Sequence, residues 1–346
     1  MSRLVYLSRQ YRDCRTAGNK AKSDYEDILS RAGAVNLGLP RTYAPGKVSG
    51  FLNNLTSVMN CCMRLRRGDV LVLQYPVKKY FTVLCRCAHR RGATVVALIH
   101  ALGSWRRRKL TVAEELRRLE CADVVVATNP AMLEWLDRHG LSGVRTQALG
   151  LHDFLSPAKP WEGPLPGLEN IAYAGSLNMR KNAFLPEMSK IAGNLKIHLY
   201  GTMSDYDPSR GNTGHIVEHG FISADDFIAH AGSDSAWGLV WDGPSTQSCQ
   251  GPWGGYLAVN TPHKSAFYLR AGLPLIVWSE SAIAPIVRRR ELGLCVDSLD
   301  NLAATIAAVT PARYAQMRGN ALRAGNEAAE GRNLLNVLEK LGMIAG

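Results

Sequence analysis

The stretch 236–287 reads AWGLVWDGPSTQSCQGPWGGYLAVNTPHKSAFYLRAGLPLIVWSESAIAPIV and decides the fold. The apolar run Trp237–Trp241, followed by an aspartate and a glycine, is typical of a buried parallel strand. A polar, glycine-rich loop comes next, and Pro262 suits the first turn of a helix, where its missing N–H costs nothing. Leu273–Trp278 predict a second buried strand, and Ser279–Ser281 open another helix at its carboxyl end. Open α/β sheets bind ligands at that edge, where free N–H groups accept phosphate oxygens.

The same alternation of strand and helix runs through both halves of the chain. The first half has apolar, β-branched runs at Leu4–Leu7, Val70–Tyr75, Thr94–Ile99 and Asp123–Thr128. Residues 156–168, rich in proline and glycine, interrupt the pattern as a linker does. The second half restarts it at Asn170–Ala174, Lys196–Tyr200, Ile216–His219, Gly238–Trp241, Leu273–Trp278 and Leu294–Val296. We therefore predict an α/β chain of two doubly wound, Rossmann-like domains, 1–155 and 169–324.

Composition narrows the class of protein. With 346 residues and 46% hydrophobic content, the chain is long and apolar enough for two cores. No window approaches the roughly 18 consecutive apolar residues of a membrane-spanning helix. The eight cysteines include no CxxC pair and no spacing typical of a disulfide framework or a zinc site. This usage favours a reducing cytoplasm.

The net charge of +12 lies entirely in the first half of the chain. Residues 1–155 hold 25 Lys and Arg against 12 Asp and Glu, in clusters such as Arg64–Arg67 and Arg106–Lys109. One interpretation is a set of solvated helix ends. The other is a surface that binds anionic lipid headgroups, which would place the protein peripherally on the inner face of the cytoplasmic membrane. No nucleic acid partner is expected, because no RNP-like, zinc-finger or helix-turn-helix pattern accompanies the charge.

Five sequence blocks, in order, resemble those of a family of bacterial GT-B glycosyltransferases. The family includes galactofuranosyltransferases of polysaccharide synthesis and glucosyltransferases that extend O-glycans on serine-rich adhesins. The blocks are Gly238–Gly243, Asn260–Lys264, Gly272–Trp278, Ala282–Ala284 and Val296–Leu299. The resemblance implies two domains facing a central cleft, with a last helix in 325–346 that returns to the first domain. It also implies inverting transfer of a hexose (galactofuranose, glucose or galactose) from a UDP-sugar to a lipid-linked or protein-linked glycan.

The donor is expected to bind the second domain. A small turn at Gly175 and Ser176 would let a diphosphate approach, with charge from Arg180 or Lys181. Lys264 would stabilise the negative charge that develops on the leaving diphosphate. Further predicted donor contacts are Tyr200 at the uracil, Asp242 at the sugar hydroxyls, Asn260 and Thr261 at phosphate or sugar, and backbone N–H groups of Ser281, Ala282 and Ile283. Two of these have structural alternatives, because a tyrosine can fill a core and an aspartate can cap a turn.

The first domain is expected to bind the acceptor. Its candidate block is similar to a Gly-x-Lys-Ala-Lys-x-Asp motif of the family and comprises Gly18, Asn19, Lys20, Lys22 and Asp24. Asp24 has a second reading, as the cap of a helix beginning near Tyr25. An inverting transfer needs a general base, and a histidine titrates in the right range. The candidates are His100, where the family has His-Asp and this chain has His-Ala, and the pair of His152 and Asp153.

No metal is expected. Asp205-Tyr206-Asp207 forms a DxD pattern, but it lies in a loop rich in Ser, Pro, Asn and Gly, and we interpret it as a turn. Basic side chains and helix starts would replace a metal ion. A homo-oligomer is compatible with the sequence.

Two other functions compete with the main hypothesis. One is a non-catalytic GT-B-like subunit that binds glycan or steadies a partner transferase. The other is a nicotinamide-binding enzyme, which the missing GxGxxG after the first strand disfavours.

Overall fold

The computed structural model describes residues 2–8, 10–11, 17–43, 47–76, 80–106, 110–191, 193–202, 205 and 214–345. The chain divides into two compact units. The first is Met1–Asp153 together with Gly331–Gly346, and the second is Phe154–Glu330. The segment 156–168 and residues 325–330 therefore lie in the second unit. None of the helices in the described ranges is long and apolar enough to cross a bilayer.

Eight strands lie in the first unit and six in the second, within the described residues. The first unit contains β1 (Leu4–Tyr6), β2 (Gln10–Tyr11), β3 (Val35–Asn36), β4 (Thr42–Tyr43), β5 (Val70–Tyr75), β6 (Thr94–Ile99), β7 (Val124–Ala127) and β8 (Arg145–Ala148). The second unit contains β9 (Asn170–Ala174), β10 (Lys196–Tyr200), β11 (Ile216–Gly220), β12 (Trp237–Val240), β13 (Leu275–Trp278) and β14 (Gly293–Val296).

The helices connect these strands. They are α1 (Ala17–Arg31), α2 (Lys47–Arg64), α3 (Phe81–Arg90), α4 (Gly103–Arg106), α5 (Val112–Leu119), α6 (Pro130–Arg138), α7 (Met179–Asn182), α8 (Leu185–Ile191), α9 (Ala224–Asp234), α10 (Gly251–Gly254), α11 (His263–Arg270), α12 (Ala284–Arg290), α13 (Leu302–Ala307), α14 (Pro311–Glu330) and α15 (Arg332–Lys340). A short 3₁₀ turn, Gly255–Ala258, follows α10. The last helix, α15, belongs to the first unit.

Each unit is built on a six-stranded parallel sheet. The order is β3-β1-β5-β6-β7-β8 in the first unit and β11-β10-β9-β12-β13-β14 in the second. A short parallel pair, β2 with β4, lies apart. The strand order reverses between β1 and β5 and between β9 and β12, and such switch points are where doubly wound sheets bind ligands. The predicted pair of doubly wound domains is confirmed.

Continuous apolar runs explain why the central strands are buried. All four residues of β12 and all five of β9 are buried, as expected for strands covered by helices on both faces. Trp237, Trp241 and Tyr173 are among the largest fully buried side chains. Their burial places the polar groups that follow β9 and β12 at the carboxyl edge of a rigid sheet.

One predicted helix boundary is wrong. Helix α1 begins at Ala17, not near Tyr25, so Asp24 lies inside the helix and does not cap it. The segment 17–24 is polar and lacks the apolar periodicity that normally indicates a helix. Its lysines and aspartate instead stabilise the first turns locally, since Lys20 and Asp24 form an ion pair one turn apart.

Candidate functional site

The switch point of the second unit gathers a set of polar side chains. The Tyr173 hydroxyl, on β9, lies 2.5 Å from Oδ1 of Asn182 and 3.1 Å from Oδ1 of Asp242. Asp242 directly follows the apolar run of β12, and Asn182 ends α7. Burial raises the pKa of Tyr173 well above its usual value, and the nearby Asp242 carboxylate raises it further. Tyr173 therefore stays protonated and anchors Asp242 at the end of its strand.

Two ammonium groups share the carboxylate of Asp242. The Nζ atoms of Lys181 and Lys264 each lie 3.3 Å from Oδ1 of Asp242. The Lys264 ammonium also lies 4.3 Å from the centroid of the Tyr173 ring, a cation–π contact. Burial lowers the pKa of Lys264 to about 8, against the opposing effect of Asp242. Two cations and one anion leave a net positive charge at the sheet edge where anionic ligands bind.

Local hydrogen bonds explain how the two lysines reach the same point. Asn178 caps α7 by accepting the Lys181 backbone N–H at 3.1 Å, and the Lys181 carbonyl accepts the N–H of Gly243 at 2.8 Å. Helix α7 is thereby tied to the loop that follows β12. Lys264 approaches from the other side, because it is the second residue of α11, whose N-cap is Pro262.

A pair of glycines shapes the turn after β9. Gly175 has a φ of +143° and donates its N–H to the carbonyl of Tyr200 at 2.9 Å. Gly201 has a φ of +151°, and a Cβ there would lie 1.8 Å from the Gly175 carbonyl oxygen. No other residue fits this approach. Ser176, predicted together with Gly175, is exposed beyond the turn.

The glycine-rich loop after β12 contributes an aromatic ring. Trp253, in α10, lies under the guanidinium of Arg180, with 5.3 Å between Cζ and the ring centroid. Arg180 is exposed on α7, next to Lys181. The stacking holds a third positive charge on the helix that carries the first of the two lysines.

The remaining predicted donor residues lie in buried positions. Asn260 and Thr261 are buried immediately before α11. Tyr200 is buried, with its ring stacked on His219 at 4.3 Å and edge-on to Phe227 at 5.0 Å. These contacts cover the ring that was predicted to stack on uracil, and they fit the alternative prediction of a core tyrosine.

Two of the three backbone N–H groups predicted to be free before α12 are hydrogen-bonded within the protein. The backbone N–H of Ser281 donates to the Trp278 carbonyl at 3.0 Å, and that of Ala282 donates to the Leu257 carbonyl at 2.8 Å. Ile283 is the N-cap of α12 and is fully buried. In this conformation two of the three groups are satisfied by protein carbonyls, because the 3₁₀ turn packs against the start of α12.

The first unit brings together both predicted histidines. His100 follows β6, and its ring is parallel to that of His152 at a centroid distance of 6.4 Å. Tyr25 from α1 lies beside both rings, with its centroid 5.1 Å from His100 and its hydroxyl 2.8 Å from Nδ1 of His152. His100 Nε2 lies 2.7 Å from Oε1 of Gln74 on β5. The two histidines, proposed from sequence as separate alternatives, belong to one cluster.

Gln74 determines the tautomer of His100. Its amide nitrogen donates to the Lys22 carbonyl at 3.0 Å, which turns its oxygen toward Nε2 of His100. An amide oxygen only accepts, so Nε2 carries the proton and Nδ1 carries the lone pair of the neutral ring. The same amide ties the predicted acceptor block to the histidine cluster.

The acceptor block forms the start of α1. Asn19, Lys20 and Lys22 are half-buried, whereas Asp24 is buried and paired with Lys20. The backbone of Gly18 is helical. The block therefore presents a helix face, and not the glycine-rich loop that the sequence suggested.

Asp153 does not have the geometry expected of a general base. Its Oδ1 accepts the backbone N–H and the side-chain amide of Asn333, at 3.0 and 2.9 Å, and its Oδ2 accepts the N–H of Leu334 at 2.8 Å. The carboxyl is buried, and burial raises its pKa to about 7 against these donors. Asp153 caps the start of α15 and fastens that helix to the first unit. This partner lies 180 residues away in the sequence, which is why local patterns could not predict it.

Within the described residues, no group of three or more His, Cys, Asp and Glu side chains could hold a metal ion. Asp205, the first residue of the DxD pattern, accepts the backbone N–H of Met179 at 2.7 Å and so contacts the start of α7. The other two residues of the pattern lie outside the described ranges.

Several residues of the two clusters were missed from sequence. Tyr173, Asn182 and Trp253 join the donor candidates, and Tyr25 and Gln74 join the histidines. Gln74 could have been predicted, because a polar residue near the end of a buried central strand indicates a functional role and not core packing. Tyr25 carried none, since a tyrosine inside a helix is usually a packing residue.

Both halves of the chain match known protein families. A family model described as glucosyltransferase 3-like, N-terminal domain, matches residues 4–150, and its C-terminal counterpart matches residues 171–341. The β-1,6-galactofuranosyltransferase WbbI of Escherichia coli K12 is 26% identical over 337 residues, which cover 94% of each chain. Glucosyltransferase 3 of Streptococcus gordonii is 35% identical over 101 residues, or 28% of each chain.

Solved structures share the fold at low sequence identity. Anabaena HepE in complex with UDP and glucose superimposes with a TM-score of 0.60 at 12% identity, over 99% of this chain and 98% of HepE. The lipopolysaccharide outer core galactosyltransferase WaaB gives 0.58 at 12% identity, over 98% and 99%. The predicted GT-B fold class is thereby confirmed.

Proposed function

The chain belongs to the glucosyltransferase 3-like family, and we propose that it transfers a hexose from a UDP-sugar to a carbohydrate acceptor in glycan or polysaccharide synthesis. The predicted family and the predicted enzyme class, a UDP-sugar-dependent hexosyltransferase, are confirmed by the two family matches and the full-length relative. The identity of the hexose, the acceptor and the metal requirement belong to the proposal.

The observation that carries the donor assignment is the pair of lysines on Asp242. A diphosphate that enters at the β9–β12 switch point would meet two ammonium groups already held 3.3 Å from one carboxylate oxygen. The glycine turn at Gly175 lets phosphate oxygens approach the backbone closely. As the glycosidic bond breaks, charge accumulates on the leaving diphosphate, and fixed cations in a half-buried site stabilise that charge most at the transition state. The proposed transfer therefore needs no metal ion.

For the proton transfer we assign His100 as the general base. Its Nδ1 holds the lone pair that can take the acceptor's hydroxyl proton, because Gln74 keeps the proton on Nε2. Nδ1 is buried in this conformation, so acceptor binding must open a path to it. The oxygen then attacks the anomeric carbon opposite the leaving diphosphate, which gives inversion. Tyr25 and the start of α1 would position the acceptor beside the ring.

The free thiols support the predicted cytoplasmic location. The seven cysteines in the described part of the chain are all free, which fits a reducing compartment such as the cytoplasm. A carbohydrate acceptor there would be linked either to a lipid or to a protein. The same assay extended to both acceptor types would distinguish them.

The deciding experiment is UDP release from UDP-galactofuranose, UDP-glucose and UDP-galactose in the presence of EDTA, with a lipid-linked or peptide-linked glycan as acceptor. We expect release from one donor and a drop of about 10²–10³-fold in Lys264→Ala. Lys190→Ala is the matched control, since Lys190 is an exposed lysine of the same unit, paired with Glu187. Equal rates in Lys264→Ala and wild type would contradict the donor assignment, and loss of activity in EDTA would contradict the metal-free transfer.

A further inference from the structure

Helix α2 turns apolar side chains toward solvent. Val48, Leu52, Met59 and Met63 are 73%, 54%, 54% and 61% exposed, and Phe51 is 47% exposed. At 100° per residue the first four lie within an arc of about 60°, so they form one stripe along the helix. Single exposed apolar residues are common, but a stripe on one helix marks an interaction surface. The opposite face, with Val58 and Cys61, packs into the first unit.

The sequence around this stripe is strongly basic. From residue 28 to residue 113 the sequence holds fifteen Lys and Arg and a single acidic residue, Asp69. That aspartate is buried and paired with Arg3. Neither α2 nor α3 contains an Asp or a Glu. A protein partner for this face would therefore have to be strongly acidic, whereas an anionic membrane is acidic throughout.

The basic residues converge at one end of the stripe. Arg66 and Arg67 follow α2, and Arg90 and Arg91 end α3, which packs against α2. The two turns are joined by the N–H of Gly68, which donates to the Gly92 carbonyl at 2.9 Å. All four arginines are exposed. Val83, 53% exposed on α3, extends the apolar surface beside them.

We propose that the α2 stripe (Val48, Phe51, Leu52, Met59 and Met63) together with Arg66, Arg67, Arg90 and Arg91 is a docking surface for an anionic lipid bilayer. Helix α2 would lie in the plane of the interface, with its apolar face among the acyl chains and its arginines at the headgroups. The helix runs opposite to the strands of its sheet, so its start lies near the carboxyl edge that carries His100. A bilayer bound along α2 would present a lipid-linked glycan near that edge. The docking itself does not depend on the proposed catalytic function.

Vesicle flotation of the full chain tests the proposal. We expect binding to phosphatidylcholine vesicles that contain about one third phosphatidylglycerol, weak binding to pure phosphatidylcholine, and release at high salt. Arg66→Gln with Arg90→Gln should weaken binding about 25-fold, at about fivefold for each arginine near the surface. Leu52→Gln with Met59→Gln and Met63→Gln should weaken it at least tenfold. These side chains are exposed, so the variants should fold normally.

Two exposed residues away from this surface serve as controls. Arg138→Gln removes an arginine that is 71% exposed on α6, and Phe221→Gln removes an aromatic ring that is 54% exposed in the second unit. Neither should change vesicle binding. Binding that is equal in all variants, or absent for the wild type, overturns the proposal. The stripe would instead bind a second copy of the chain if the wild type elutes as a dimer, the stripe variant elutes as a monomer, and neither binds vesicles.

Discussion

Replacing Lys264 by methionine should make the free protein more stable while it removes UDP binding. The native structure lowers the pKa of Lys264 from 10.5 to about 8, mainly because the ammonium is buried. That difference corresponds to about 3 kcal/mol by which folding disfavours the charged form. The side chain is 12% exposed, so solvent screens little of this cost. Methionine has a similar length and can keep the contact with the Tyr173 ring.

The loss of an ion pair should not reverse this gain. Removing one member of a buried pair usually destabilises a protein, because the other charge is left alone. Here Asp242 keeps Lys181, 3.3 Å away, and the Tyr173 hydroxyl, 3.1 Å away. We therefore expect a net gain of about 1–3 kcal/mol in the free energy of unfolding at pH 7. For a unit of this size that raises Tm by about 2–12 °C.

The pH dependence identifies the cause. The pKa of Lys264 is lower in the folded protein than in the unfolded chain, so between about pH 8 and 10.5 only the unfolded chain binds the proton. The free energy of unfolding of the wild type therefore rises with pH across that interval. The cost of Lys264 is fully present below pH 8 and is relieved near pH 10.5. The Tm advantage of Lys264→Met should therefore shrink as pH rises. Tyr173 and Cys249 do not interfere, because burial raises the pKa of both, that of Cys249 to about 12.

Scanning calorimetry from pH 7 to pH 10, with calorimetric titration of UDP, measures both effects. Lys190→Met is the matched control: its lysine is 60% exposed, and neither Tm nor UDP affinity should change. A lower Tm for Lys264→Met at pH 7, or a Tm difference that does not vary with pH, would show that Lys264 does not carry the desolvation cost inferred from its position. Unchanged UDP affinity would separately remove it from the donor site.

Three further variants test other parts of the structure. Asp153→Ala should lower the free energy of unfolding by about 3 kcal/mol, because three hydrogen bonds to α15 are lost, while the turnover of folded enzyme is unchanged; urea unfolding and UDP release measure the two. His100→Gln should lower kcat about 10²–10⁴-fold and leave UDP affinity intact, and a kcat within twofold of wild type would exclude it as the base. Gly201→Ala should yield little folded protein, because its Cβ would overlap the Gly175 carbonyl, so a normal Tm would refute the described turn.

The central strands were predictable because burial on both faces leaves a continuous apolar run, whereas the short or partly exposed strands β2, β3, β4 and β8 were not predicted. The run Trp237–Trp241 predicts a central strand, and β12 is Trp237–Val240. Likewise Val70–Tyr75 and Thr94–Ile99 are β5 and β6 without a change of boundary. The start of helix α1 escaped prediction because its first two turns are polar, and the Lys20–Asp24 pair stabilises them in place of an apolar face.

The sequence predicts the donor candidates of the second unit better than the histidine cluster of the first unit. The reason is the position of their residues in the secondary structure. The donor candidates Lys181, Asp242 and Lys264 lie after a strand of the second sheet or near the start of a helix that follows one. The strand order alone is therefore enough to bring them together. Their shared carboxylate oxygen is a detail of side-chain packing, but their proximity is a consequence of topology. The acceptor cluster is different, since Tyr25 reaches His100 from the middle of a helix whose start the sequence does not mark.

The role of a carboxylate cannot be predicted from local sequence when its partners lie far away in the chain. Asp242 and Asp153 both follow apolar stretches, and both were candidates for chemistry. The structure gives them opposite surroundings: Asp242 faces two ammonium groups at the ligand-binding edge, whereas Asp153 accepts N–H groups from a helix 180 residues away. A carboxylate such as Asp153, whose oxygens accept N–H groups of a helix start, stabilises the fold. A carboxylate that pairs with two lysine ammoniums holds positive charge where an incoming anion can reach it, and for this reason we propose Asp242, and not Asp153, for the donor site.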